Sequence, residues 1–252
     1  MEEKGHLEKL RTIFEQILLD LQIPFEVTRK EEIIQKQESS CKQLTQEFLN
    51  KDDNEGRKLA IQIGIADSLL KIFATRELET LSQAYAIAFF WLTFPCSFEI
   101  RQLIFQLNPY PALLRLLDST NEANIDVTNL TIFNIQESGS ETTQVTEAHH
   151  HYEVFIQCKG IEKLLELLDR NVDESIKNLS AINIAYLYRA REIADEEIRK
   201  KIIDRLKTVT NDSQNILNKY AILGLKYLAQ NSENCAAIGS DGFAIPDVAE
   251  NS

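Results

Sequence analysis

The sequence predicts an all-α chain, and three features carry that reading. Only 8 Gly and 5 Pro punctuate 252 residues, fewer than the many tight turns of an all-β fold require. Leu, Ile, Glu, Lys, Gln and Ala, which favour helix, run in long unbroken stretches. Apolar residues recur at three- and four-residue spacing, which gathers them on one face of a helix. With 44% hydrophobic residues the chain can bury a substantial core.

Leu7, Leu10, Ile13, Phe14, Ile17, Leu18 and Leu21 form the apolar face of a first helix, which Ile23-Pro24 ends. A second helix, rich in Gln and Glu, is expected from Lys30 to Phe48. Its stripe is thinner: Ile33, Ile34, Cys41, Leu44 and Phe48. Residues 1–53 are therefore expected to form a helical cap that shields the end of the remaining chain.

From Asn54 the chain repeats itself. A short helix ends on Ile, a tight connection with Gly or Pro succeeds it, and a helix with paired Leu comes next. The first copy joins Asn54–Ile61 through Gly64-Ile65 to Leu69-Leu70. The second joins Phe98–Ile104 through Pro109-Tyr110-Pro111 to Leu113-Leu114, and the third joins Tyr152–Ile156 through Gly160-Ile161 to Leu164-Leu165. A further opening begins at Asn234 and reaches Gly242 and Ile245-Pro246. Leu69 to Leu113 spans 44 residues, Leu113 to Leu164 spans 51, and Ile202 lies 38 further on. A period of roughly 40–47 residues fits these values if one copy carries an insertion. The Ser/Thr/Glu-rich stretch 137–148 is the expected inserted loop.

After each leucine pair a longer, more apolar helix is expected: Leu81–Phe94, Ile125–Ile135, Ile176–Ala190 and Ile216–Ala229. Helices apolar on more than one face lie buried between neighbours. The unit from Glu196 to Ala229 lacks a clear first helix, and the last repeat, from 232, is incomplete. Only Asp247-Val248-Ala249-Glu250 begins the second helix it should contain.

The opening Asn-x-x-x-Ile, the Gly or Ile-Pro joint and the Leu-Leu helix resemble armadillo repeats over residues 54–252. The resemblance implies a right-handed α-α superhelix, an armadillo-like solenoid of about four repeats. It also implies an adaptor or scaffold that binds a segment of a protein partner along a concave surface lined by the third helices. Many peptide-binding members place Asn there, preceded four residues earlier by Trp, and the Asn amide pairs with the backbone of an extended peptide. The matching slots here hold Trp91, Asn134, Tyr186 and Tyr227, and the preceding positions hold Ile87, Leu130, Ile182 and Leu223. That departs from receptors of basic nuclear-localisation signals and favours an apolar or helical guest. Replacing Tyr186 and Tyr227 with Ala is then expected to abolish binding and spare helicity. One alternative the resemblance allows is an armadillo-type regulator of a small GTPase. Another is an enzyme with an unrecognised site.

The residues themselves point away from chemistry. No Gly-rich phosphate loop and no Gly-x-Ser-x-Gly elbow occurs. His149-His150-His151 is the one histidine cluster. Adjacent side chains diverge and no further ligand spacing supports a metal, so the cluster is expected to be a solvated loop or helix start. No catalytic residue, metal or cofactor is expected. A net charge of −12 disfavours nucleic acid, which binds through Lys and Arg, and an anionic membrane surface. No apolar run approaches a membrane span. Cys41, Cys96, Cys158 and Cys235 lie far apart, and Met1-Glu2-Glu3-Lys4 leads into an amphipathic helix rather than a signal peptide. Reduced core thiols in a cytoplasmic protein, with a nuclear or cytoskeletal association open, are the expectation. The sequons at Asn129, Asn178 and Asn211 would then be idle. Ser and Thr in 138–147 are candidate phosphorylation sites in an acidic loop.

Overall fold

The computed structural model describes residues 2–247, and every regular element among them is helical. The chain divides into two compact units, Met1–Ile135 and Gln136–Ser252.

The first unit holds α1 (Glu2–Leu21), α2 (Lys30–Phe48), α3 (Asn54–Ile63), α4 (Ile65–Thr75), α5 (Gln83–Thr93), α6 (Phe98–Gln106), α7 (Tyr110–Leu116) and the larger part of α8 (Glu122–Glu141). In α1, Leu10, Phe14, Ile17 and Leu21 are buried, the stripe that helical periodicity dictates. α1 packs on α2, α3 and α4, while α2 packs on α5. The stripe of α2 is thin in apolar residues because a glutamine sits in it. Fully buried Gln37 donates from Nε2 to the Leu21 carbonyl (3.0 Å), and its Oε1 accepts from Arg76 (2.6 Å) and the Tyr85 hydroxyl (3.2 Å). A buried amide is tolerated when its donors and acceptors are met in this way.

The second unit holds α9 (Tyr152–Gln157), α10 (Gly160–Asp169), α11 (Glu174–Leu187), α12 (Glu196–Thr210), α13 (Asn218–Leu228) and α14 (Ser232–Gly239). α11 packs on α10, α12 and α13, and α14 packs on α12 and α13. As expected from the weak pattern at Glu196–Ala229, the single helix α12 stands where the other copies have two.

The same corner recurs between the two helices of the first three copies and again after α14, and its cause is one left-handed residue. Gly64 (φ 102°) separates α3 from α4, Asn108 (φ 52°) precedes α7, Lys159 (φ 56°) separates α9 from α10, and Gly242 (φ 82°) comes after α14. Gly160, expected to be the turning residue, is not. It is helical, and its lack of a side chain serves a close approach instead: a Cβ there would lie 2.2 Å from Phe155 Cε1. The opening asparagines have a physical reason as well. Asn54 Oδ1 accepts from the Ser97 amide (2.7 Å), 43 residues on, and Asn234 Nδ2 donates to the Arg191 carbonyl (2.8 Å), 43 residues back. Each ties one copy to the start of the next at the spacing of a repeat.

Two further expectations change. The inserted stretch is shorter than 137–148, because α8 continues as helix to Glu141. Of the thiols, all free, Cys41 is buried, Cys96 and Cys158 are half-buried, and Cys235 is exposed rather than core. No helix among the described residues is long and apolar enough to cross a membrane. Val248-Ala249-Glu250, expected to begin a further helix, lies outside the described residues.

Candidate functional site

The four slots do not share one environment. Trp91, near the end of α5, is half-buried. Its ring meets Phe90 edge-on at 5.4 Å, and Phe90 lies 5.8 Å from Phe94, which is 46% exposed. The three aromatics, with half-buried Ile87 one turn earlier, make an apolar patch at the helix end. Beneath it Arg57 fixes the backbone. Its Nε donates to the Trp91 carbonyl (2.9 Å), its Nη2 to those of Phe94 (3.4 Å) and Lys51 (3.0 Å), and its guanidinium lies over the Phe48 ring (4.8 Å). Helix-terminal carbonyls lack partners within the helix, and a buried arginine supplies them here.

Asn134, on α8, is 7% exposed, and its Nδ2 donates to Thr93 Oγ1 (3.3 Å). The amide expected to pair with a peptide backbone is thus engaged within the unit, while Arg101 Nη1 reaches its carbonyl at 3.5 Å.

Tyr186 corrects the expectation most clearly. It is 1% exposed, its ring meets Tyr227 at 4.9 Å and 87°, and its −4 partner Ile182 is wholly buried. Burial, with Tyr227, Glu137 and Tyr220 nearby, holds its phenol well above the usual tyrosine range. It is a core residue. Tyr227 is half-buried, with the Arg189 guanidinium 5.5 Å from its ring centre.

The histidine cluster is likewise buried rather than solvated: His149 is 3% exposed and His151 fully covered. Gly139 lets them approach α8, since a Cβ there would meet His149 Cε1 at 2.6 Å. His149 Nδ1 accepts from the His151 amide (3.0 Å), so its Nε2 carries the proton and donates to the Gln136 carbonyl (3.0 Å). Burial pushes His149 down to about 3 and His151 to about 2, with Arg189 adding to the first and His149 to the second. These imidazoles are neutral clasps on the segment after α8. Among the described residues no three His, Cys, Asp or Glu gather to hold a metal ion.

Sequence pattern alone does not single out Phe90, Phe94, Arg57 or Arg189. The i, i+4 pair of aromatics at 90 and 94 is a visible signal. The arginines give none, because a lone cation within an amphipathic helix reads as solvated. A separate open cleft, lined by Leu21, Phe25, Asp67, Lys71, Ile72 and Arg76 among others, shares no residue with the slots.

No family model and no curated protein matches the sequence. Solved structures do match its fold. A designed armadillo repeat protein superposes with a TM-score of 0.65 at 19% identity, covering 91% of this chain and 88% of that one. A second, described in complex with the peptide (KR)4, gives 0.63 at 19% identity, over 91% and 87%. A computationally designed set described as made for modular peptide recognition gives 0.63 at 19% identity, over 91% and 88%. The fold is that of armadillo repeat proteins.

Proposed function

We propose that this chain is a non-enzymatic protein-binding adaptor of the cytoplasm, and that the α5 patch of Phe90, Trp91 and Phe94 anchors an apolar side chain of a peptide segment from its partner. The observation that carries the reading is an aromatic cluster left half-open on a helix whose end a buried arginine makes rigid. Aromatic anchors dominate binding energy when they are pre-organised, because little motion is left to freeze on association. The fold supports the same reading, since two of the similar designed proteins are described as peptide binders. A net charge of −12 adds long-range attraction for a segment whose flanks are basic.

Trp91 is the only tryptophan, so its fluorescence reports on the patch directly. Peptides selected from a displayed library on the immobilised protein should carry an apolar residue beside Lys or Arg and should shift the emission on titration. Trp91→Ala should weaken them by about 30-fold or more, the roughly 2 kcal/mol of a binding hot spot. Selected peptides that bind Trp91→Ala as tightly as the parent and leave the parent's emission unmoved would remove the site.

A further inference from the structure

Arg189 stands out among the buried charges of the second unit. Its side chain is fully covered, and Tyr227 and the carboxylate of Glu147 favour its charged form. Three of its bonds go to the end of α8 and the turn that leaves it. Nε donates to the Glu147 carbonyl (3.0 Å), Nη1 to the Ser140 carbonyl (2.9 Å), and Nη2 to the Thr143 hydroxyl oxygen. The Thr143 hydroxyl in turn faces the Gly139 carbonyl at 3.4 Å. In the first unit, Arg57 donates to backbone carbonyls alone, and Arg76 to the buried side chains of Gln37 and Tyr85, neither on a surface segment. Arg189 is therefore a desolvated cation aimed at a side-chain hydroxyl on a surface segment.

The turn itself suits modification. Thr142 and residues 144–148 are exposed, and Thr143 is half-buried. Apart from the Arg189 bonds, the turn is held by the Gln144 and Glu147 pairing and by threonine hydroxyls on the Gly139 carbonyl.

We propose that Thr143 is a phosphorylation site and that Arg189, which already faces the Thr143 hydroxyl, binds the resulting phosphothreonine. A protein kinase would transfer the γ-phosphoryl group of a nucleoside triphosphate to Thr143 Oγ1. The bond from the γ-phosphorus to its bridging oxygen breaks as the new O–P bond forms, the hydroxyl proton passes to the kinase base, and the nucleoside diphosphate leaves. The turn then withdraws by about the length of the added group, and a neutral contact becomes a charge-assisted one, bidentate if both guanidinium edges engage. Glu147 repels the phosphate, so the modification stabilises only if Arg189 outweighs it. Thr142 and Thr146 have no arginine contact among the hydrogen bonds of the turn and serve as internal controls.

The test begins with the folded chain, ATP and a panel of Ser/Thr kinases, with phosphate mapped by mass spectrometry. Phosphate on Thr143 is expected; phosphate confined to other positions, or none, overturns the assignment. Phosphothreonine is then installed at 143, or at 146, during translation, and ³¹P resonances are followed against pH. At 146 the second ionisation should stay near about 6. At 143 it should fall by about one unit, because the guanidinium favours the dianion, and Tm should rise by about 3 °C. A phosphate at 143 that titrates like the one at 146, or that lowers Tm, overturns the proposal without any need for an Arg189 variant to fold.

Discussion

In the first unit the third helix of a repeat keeps Phe90, Trp91 and Phe94 partly at its surface, whereas in the second unit α11 is buried without a break from Leu179 to Leu187. The two helices are equivalent in the repeat, and both are dominated by apolar residues. What differs is the residue one repeat further on. After Tyr186 that position holds Tyr227, long enough to lay its ring edge-on against the first and close over it. After Trp91 it holds Asn134, whose short amide turns to Thr93, and the indole is half-open. The occupant one repeat on thus differs between a covered slot and a half-open one, and the repeat pattern alone does not determine which slot is which.

The largest test of that contrast is a pair of truncations. Tyr186→Ala removes a ring from a closed site and should cost roughly 3–5 kcal/mol, as buried aromatic truncations do. Trp91→Ala should cost only about 1 kcal/mol of stability, its main loss falling on peptide binding. Urea unfolding followed by far-UV circular dichroism separates them. Equal losses would mean that both slots are core, and the proposed anchor would go with them. The expectation from repeat spacing that Tyr186→Ala spares the fold is reversed by the same burial.

Much of this architecture is legible in the sequence. The second helix, the spacing of the leucine pairs, the missing first helix near Glu196 and the tight corners all arise from periodicity and turn chemistry, which act over a few residues. Burial of individual polar groups does not, because it depends on what lies a repeat away. His149-His150-His151 reads as a solvated run, yet Gly139, ten residues earlier, admits two of its rings to the core. Lys159 takes the left-handed corner although Gly160 beside it looks the better candidate, since Phe155 already occupies the space above that glycine. Arg57 and Arg189 look like solvated charges until the carbonyls they meet are in place.

A difference in acid response between the units should come next in size. His149 and His151 stay neutral in the folded state far below the ordinary imidazole value of 6.5, while the unfolded chain takes up protons near that value. Below about pH 6.5 the unfolded state therefore binds more protons, and stability falls as pH falls until the folded values near 3 and 2 are approached. Each imidazole contributes at most about 1.4 kcal/mol per pH unit. The one histidine of the first unit, His6, is exposed, so no buried imidazole lies there. Amide protection factors, with intrinsic rates divided out, should fall more between pH 7 and pH 5 in α9–α11 than in α3–α5. A uniform loss of protection would show that the clasp does not govern acid sensitivity, and His149→Gln with His151→Gln should flatten the slope even where it lowers the starting stability.

The smallest effect concerns the corners, where the two units share one geometry but not one residue. Gly64 needs its φ of 102°, and an added Cβ would meet nothing nearer than Leu18 Cδ1 at 3.9 Å, so Gly64→Ala isolates the backbone term. It should cost about 1 kcal/mol, the penalty for a side chain in a left-handed conformation. Asn108 and Lys159 already bear that penalty at φ 52° and 56°, Asn less of it because its side chain tolerates the region. Lys159→Gly should therefore be neutral or stabilising by up to about 1 kcal/mol, and Asn108→Gly should gain less. The order Lys159→Gly, Asn108→Gly, Gly64→Ala in chemical denaturation midpoint comes from backbone geometry alone. Were Lys159→Gly instead to destabilise, the lysine would be holding the corner through its side chain, and the second unit would turn its chain by a different device from the first.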